Sequence, residues 1–249
     1  MHLYPHKLRV LVPPKDNLKE AILASNLSLK DGDIVAISSK VVSIGEGACV
    51  RMDSIGKKAL IAQEADWHRL VLRARHKHLF TIARGALVGA AGVDESNGNE
   101  HYILYPEDPF ASAKRLRLWL CKEYGVKKIA VIITDSKSDF LRRGATGFAL
   151  AWDGIDPLRD YRGTADLFGR VIRLEMANLI DSLAAAANLH MGETTERTPV
   201  VVIRDAPNIV FKNRSTKIAD DQLYVSPEDD LFAPILFRPR WKKGGGGKR

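Results

Sequence analysis

Three carboxylates stand where folding would present them to a ligand. Asp94 follows the glycine-rich stretch GALVGAAG inside GVDESN, Asp135 closes the apolar run IAVIITDS, and Glu193 sits just past a helical pattern that Gly192 is placed to end. Each lies at the margin of an apolar element, so three loops could turn their oxygens toward one point. Carboxylates and hydroxyls are ligands for hard divalent cations such as Mg2+ or Mn2+, which in turn bridge to phosphates. Aspartates at strand ends are also common turn formers, and the pattern alone leaves that alternative open.

Cationic groups add to the case for an anionic ligand. SDFLRRGATG places Arg142 and Arg143 before two glycines, DYRGTADLFGR adds Arg162 and Arg170, and SSKVVS offers Lys40. Guanidinium forks match phosphate or carboxylate oxygens, and glycines let backbone amides approach the same anion. Turns and helix starts collect the same residues, and Lys40 could simply reach solvent. No Walker loop with GK followed by Ser or Thr is present, and GALVGAAG does not match the dinucleotide fingerprint. Zinc ligation is poorly supported, because the histidines are scattered and neither cysteine has a nearby thiol partner.

The elements that must position these groups follow from periodicity. Asp31 and Gly32 turn the chain into an apolar strand from Ile34 to Ile37, which runs into a polar functional loop carrying Lys40. Residues 57 to 78 read as helix, with Arg69, Arg73 and Lys77 recurring at four-residue steps along one solvated face. The stretch after it is β-rich, and the small residues from Gly89 to Gly92 let a backbone pass close to a strand or a ligand. SAKRLRLWLCKEYG reads as a helix with Ala113, Leu116, Leu120 and Tyr124 on its apolar face and Gly125 as its stop. A buried strand from Ile129 to Ile133 follows, with polar residues at its carboxyl end, the usual place for an α/β active site. From Asp166 to Glu193 the pattern is helical again, with Phe168, Ile172, Leu179, Leu183 and Ala187 as a buried stripe and Ala184 to Ala187 permitting close packing. PVVVIRDAP is a further buried strand, and NIVFKNRSTKIADDQLY reads as a surface excursion. There is no clean linker, so any two subdomains must be intertwined.

With 249 residues, 45% of them hydrophobic, the chain can build its core without disulfide or metal staples. Two cysteines exclude a disulfide framework and suit a reducing compartment, and no apolar run is long enough to span a membrane. The start has no secretory pattern, so the cytoplasm is the expected location. Thirty-eight Lys and Arg against thirty Asp and Glu give +8, and the closing KKGGGGKR supplies four of those positive charges. Residues 1–241 are expected to form the folded domain, and 242–249 a disordered basic tail. The charge favours anionic partners, but no aromatic series interleaves with the basic stretch, which argues against a nucleic-acid platform.

In order along the chain, GDIVAISSKVVSIGEG, AAGVDESN, PEDPFASA, IAVIITDS, RRGATGFALA, DYRGTADLFGR, LAAAANLHMGE and PVVVIR resemble the blocks of the coenzyme F420-0 γ-glutamyl ligase family. The resemblance runs from about Asp31 to Arg204. It implies an α+β fold of two intertwined subdomains, with mixed sheets and packed helices, assembled as a homodimer. It also implies a GTP-dependent ligase, using Mn2+ or Mg2+, that joins L-glutamate through an amide bond to a small-molecule carboxylate acceptor such as coenzyme F420-0. Position by position, the metal ligands of the family fall on Asp94, Asp135, Ser136 and Glu193. Its nucleotide contacts fall on Asn97, Ser39 and Lys40, with the nucleotide running beside Met191 and Gly192. Asp94 and Asp135 thereby become the catalytic centre, and Arg142 or Arg143 is inferred to stabilise the transferring phosphoryl group or fix the acceptor.

Departures from the family pattern fall around the phosphates. A proline-containing segment near the N-terminus is replaced by RVLVPPKDNL, a family lysine by Ile44, and a small residue, glycine and arginine after ITDS by Lys137, Ser138 and Asp139. Lys40 or Lys137 is expected to compensate. The changes keep two other outcomes open: a γ-glutamyl ligase for folate or another acceptor, and a catalytically reduced metal- or nucleotide-binding module.

Overall fold

The computed structural model describes residues 1–73, 76–212, 223–226, 229–236 and 242–247. In chain order the first half contains β1 (His2–His6), α1 (Leu18–Leu23), β2 (Ile34–Ser38), α2 (Ser39–Glu46), β3 (Cys49–Arg51), α3 (Lys57–Glu64), β4 (Trp67–Arg73), β5 (His76–Ala83), β6 (Ala86–Gly89) and β7 (His101–Ile103). The second half contains α4 (Pro109–Tyr124), β8 (Ala130–Ser138), β9 (Ala145–Asp153), β10 (Leu158–Asp160), β11 (Met176–Asn178), α5 (Leu179–Met191), β12 (Val200–Arg204), α6 (Ala233–Leu236) and β13 (Lys242–Lys243). The result is a mixed α+β fold, as expected.

The core is a five-stranded sheet ordered β1-β12-β2-β8-β9, in which β2 and β8 run parallel and the other pairs antiparallel. Ile34 to Ile37 and Ala130 to Ile133 are fully buried, which is why these strands read as continuous apolar runs rather than alternating ones. α4 and α5 pack against β8 and β9. Asp108 caps α4 by accepting from the Ala111 amide at 2.9 Å, and Gly125 ends it in the left-handed region at φ 66°. A Cβ on Gly147 of β9 would lie 2.7 Å from the Ala184 carbonyl of α5, so this glycine of the RRGATG block serves helix packing rather than an anion. Buried Asp33, at the entry to β2, is held by both Nε and Nη2 of Arg204 at 2.7 Å each.

Three expectations are corrected. α2 starts at Ser39, directly after β2, so Lys40 stands in the first turn of a helix and not on a loop. The helix expected over 57–78 ends at Glu64, and Trp67–Arg73 and His76–Ala83 pair as antiparallel strands. Four-residue spacing lines one face of a strand as well as of a helix, so the Arg69 and Arg73 pattern did not distinguish them. The helix expected from Asp166 begins only at Leu179, and 161–175 form an arm between β10 and β11. Asp166 Oδ1 accepts from the amides of Phe168 and Arg170, and Gly163 and Gly169 adopt φ of +83° and +81°, which breaks any helix there. Phe168, expected in the buried stripe, is 95% exposed, whereas Leu183 and Ala187 are buried.

A second sheet is ordered β13-β4-β5-β6, so the tail expected to be disordered is laid along β4 at Lys242 and Lys243. Most of the expected surface excursion, residues 213–222, lies outside the described residues. Among the described residues no helix is long and apolar enough to cross a membrane.

Candidate functional site

Parallel pairing of β2 with β8 brings two carboxyl ends to one edge of the sheet, with Ser38 opposite Thr134. Ser39 and Lys40 continue from one strand, and Asp135 and Ser136 from the other. β6 and the turn Ala90–Gly92 close the space from the second sheet and deliver Asp94. The cavity so formed, about 170 Å3, is lined by Ser39, Lys40, Gly92, Asp94, Tyr105, Asp135 and Ser136 among others.

Asp94 is fixed by reciprocal backbone bonds with Ile103 at 2.9 and 2.8 Å. Its Oδ2 lies 2.7 Å from Lys40 Nζ and accepts from Ser96 Oγ at 3.0 Å, while Oδ1 accepts from the Ser96 amide at 2.7 Å. Burial works to raise the Asp94 pKa, but the Lys40 ammonium and the Ser96 donors outweigh it and hold the carboxyl below its ordinary value.

Asp135 is in the opposite state. Burial pushes its pKa up to about 6, and the nearby Asp94 charge adds to that, against the hydrogen bonds from the Tyr105 hydroxyl and the Ser136 amide. Tyr105 Oη donates to Asp135 Oδ2 at 2.5 Å, and its own pKa is raised well above 10 by burial and the Asp135 charge. The ring fits because Gly92 has no side chain: a Cβ there would lie 2.2 Å from the ring, and the backbone has φ +74°. Sequence reasoning singled out Gly92 as a close approach but missed Tyr105, whose contact with Asp135 is purely tertiary.

Glu193 stands one hydroxyl away. Its Oε2 accepts from Ser136 Oγ at 3.3 Å and its Oε1 from Asn188 Nδ2 at 3.0 Å. Asn97, at φ 56°, donates from Nδ2 to the Thr194 carbonyl at 3.1 Å and so ties the Asp94 loop to the Glu193 loop. Met191 is buried, with its sulfur 3.4 Å from Thr134 Oγ1, and Gly192 caps α5 at φ 71°.

Other expected groups are not brought to the cavity. Arg142 and Arg143 lie exposed between β8 and β9. Lys137 packs over the Phe148 ring at 5.4 Å, and Ile44 is buried in the core, while Ser138 and Asp139 are exposed. Among the described residues, Lys40 is therefore the cation that lines this cavity.

Among the described residues, no group of three His, Cys, Asp or Glu forms a ready metal cluster. The donor chemistry nonetheless suits a hard cation, since Asp94, Asp135 and Ser136 line one cavity and Glu193 reaches it through Ser136. Lys40 contacts Asp94, and Tyr105 donates to Asp135.

The arrangement defines an α+β protein with a carboxylate-lined cavity at the carboxyl ends of two parallel strands, the place where α/β sheets commonly bind ligands. Residues 9–205 match the family model described as F420-0:Gamma-glutamyl ligase, and the chain belongs to that family. It is 37% identical to the coenzyme F420:L-glutamate ligase of Methanopyrus kandleri, over 93% of this chain and 97% of that one. It is 30% identical to the protein of the same name from Archaeoglobus fulgidus, over 96% of this chain and 98% of that one. With the Methanosarcina barkeri protein of that name the identity is 39%, over 74% and 78%.

Proposed function

We propose that this chain is a γ-glutamyl ligase that joins L-glutamate through its α-amine to a carboxylate acceptor of the F420-0 type, with GTP as phosphoryl donor. The observation that carries this is the family match over residues 9–205, which spans every residue of the cavity. An acceptor carboxylate is a poor electrophile, so its oxygen first takes the γ-phosphoryl group of GTP, releasing GDP and leaving an acyl phosphate. The glutamate nitrogen then bonds to the acyl carbon, the bond from that carbon to the phosphate oxygen breaks, and phosphate and a proton are released.

Asp94, Asp135, Ser136 and Glu193 would hold Mn2+ or Mg2+, which supplies neutralisation of phosphate charge. Lys40, on releasing Asp94, turns its ammonium to the transferring group. Tyr105 keeps the Asp135 carboxylate aimed into the cavity. Ser39 and Asn97 border the nucleotide, and Met191 and Gly192 form its wall. Arg142 and Arg143 take no part in this arrangement.

A homodimer accompanies the proposal. Leu167, Phe168 and Leu174 on the 161–175 arm are 98%, 95% and 88% exposed, an apolar surface that a second copy would cover. Sedimentation at micromolar protein should give twice the chain mass, and a concentration-independent monomer would reject the assembly.

The deciding experiment incubates the protein with GTP or ATP, Mn2+, glutamate, and F420-0 or folate in separate reactions, and resolves products by mass. A glutamyl increment matched by phosphate release establishes ligation, and the acceptor that gains it is the substrate. Nucleotide binding without product on either acceptor favours a binding module. Failure to bind nucleotide removes the phosphoryl donor and with it the mechanism.

A further inference from the structure

Glycines 244–247 have no side chains to bury, yet each is tied to the fold. β13 adds Lys242 and Lys243 to the edge of β4, opposite His68 and Trp67. Beyond it the amides of Gly244, Gly245, Gly246 and Gly247 donate to the carbonyls of Asp66, Ala62, Ala65 and Gln63 at 2.9, 3.1, 2.8 and 2.9 Å. Those carbonyls belong to the last turn of α3 and the chain leaving it, where a helix has no intrahelical donors left to offer. Side chains could not be tolerated here. A Cβ on Gly244 would lie 2.1 Å from the Ala65 oxygen and one on Gly245 2.5 Å from the Gln63 oxygen, and both obstacles are backbone. Gly246 and Gly247 adopt φ of +69° and +64°. Four consecutive glycines, which by composition resemble a flexible spacer, here match the requirements of a close backbone clasp.

The clasp holds one cation. Arg84 Nη1 donates to the Gly246 carbonyl at 2.6 Å, and the Arg84 amide donates to Asp66 Oδ2 at 2.9 Å. Arg84 occupies the turn between β5 and β6 at φ 52°. From that turn β6 runs to Gly89 and on through Gly92 to Asp94, all in the cavity wall. α3 packs against the Ala90–Gly92 turn from the other side.

We propose that Gly244–Gly247 form a latch that fixes Arg84 in the β5–β6 turn, from which β6 runs into the cavity wall, and that Arg84 is thereby a positioning residue for the cavity. Among the described residues none of the latch lines the cavity, so the tail reaches the site through what it touches, Arg84 in the β5–β6 turn and the end of α3, and the combined variant tells these two routes apart. The activity readout rests on the ligase proposal, whereas the exchange readout does not.

The test compares the full chain with a truncation after Trp241, G244A/G245A, R84A, R84K, K242A/K243A, and the truncation combined with R84A. Amide hydrogen exchange is read at Gly244–Gly247 and at Asp94, whose amide bonds to Ile103. In the full chain these amides should be protected. Asp94 exchange should rise about tenfold in R84A, in G244A/G245A and in the truncation alike, and the combined variant should show the same tenfold. R84K should stay within about threefold of wild type, because an ammonium can still donate to Gly246, and K242A/K243A should not change. Ligation kcat should follow the same order. Unprotected glycine amides in the full chain, unchanged Asp94 exchange after truncation, effects of R84A and truncation that multiply, or R84K as disturbed as R84A would each overturn the proposal. Absence of ligation on every acceptor would sink the ligase proposal while leaving the exchange result to decide the latch.

Discussion

Tyr105 donates to Asp135 at 2.5 Å from a position that only a glycine at 92 allows. Tyr105 is buried and Asp135 half-buried, so the phenol takes the place of one of the waters that would otherwise solvate the carboxylate. Y105F removes that donor, and because the half-buried carboxylate can take a water from the cavity in its place, the cost should be about 1 kcal/mol. G92A should cost more, because the Cβ meets the aromatic ring and the backbone conformation is strained as well. Chemical denaturation checks the order. A G92A chain as stable as wild type would contradict the packing described for this wall.

A second stability test lies at the other end of β2. Arg204 bonds bidentately to Asp33, whose side chain is 1% exposed against 22% for the arginine. R204M strands a buried carboxylate and should cost about 3 kcal/mol or more. D33N should cost less, since the partly exposed guanidinium can turn to water. The reverse order in denaturation midpoints would mean that Asp33 is solvated by another route.

Much of this was legible in the residues, for reasons that also explain the failures. IVAIS and IAVIITDS were identified as strands because both are buried on two faces, and the aspartate at the end of the second marked the site. α4 was clear because Gly125 and the apolar spacing agree. The arm failed because Leu167 and Phe168 look like core residues and are in fact exposed, so hydrophobicity pointed the wrong way. The strand pair β4 and β5 failed because a four-residue repeat is compatible with both periods. Tyr105 and Arg84 left no local signal at all, since their roles arise from contacts across the fold. The glycine run was misjudged for a related reason: composition cannot show that a carbonyl waits where a side chain would be.

Acid should destabilise the chain through a separate set of carboxylates. Hydrogen bonds from Arg9 hold Asp16 below its ordinary pKa, the amides of Lys128 and Lys127 do so for Asp31, and Arg162 brings Asp160 to about 2. A folded pKa below the unfolded one means that the unfolded state binds more protons. The stabilisation is therefore complete above the unfolded value, about 4, and is lost as pH falls through the folded values. The groups are solvent-facing, so each effect is small and weakens with salt. Asp135, raised to about 6, works the other way and gains stability as pH falls toward 4, so melting temperature should not fall between pH 7 and about 5 and should decline below pH 4, less steeply in high salt. A decline confined to the range above pH 5 would show that other groups govern acid stability.

The cavity predicts an order of metal affinities rather than a uniform loss. Asp94 and Asp135 line the cavity directly, whereas Glu193 is linked to it through the Ser136 hydroxyl at 3.3 Å. D94N and D135N should therefore weaken Mn2+ binding by about tenfold or more, and E193Q by a smaller factor. Lys40 makes the test sharper, because its ammonium sits on the Asp94 oxygen that a cation would need. K40M removes that competitor and one positive charge, so Mn2+ should bind more tightly than to wild type. The same change should weaken GTP, since the anion loses its cation at the site. Titration calorimetry with Mn2+ alone and then with GTP separates the two effects. Mn2+ affinity unchanged from wild type in all three carboxylate variants would remove the metal from this cavity, and weaker Mn2+ binding in K40M would show that Lys40 supports the ion rather than displacing it.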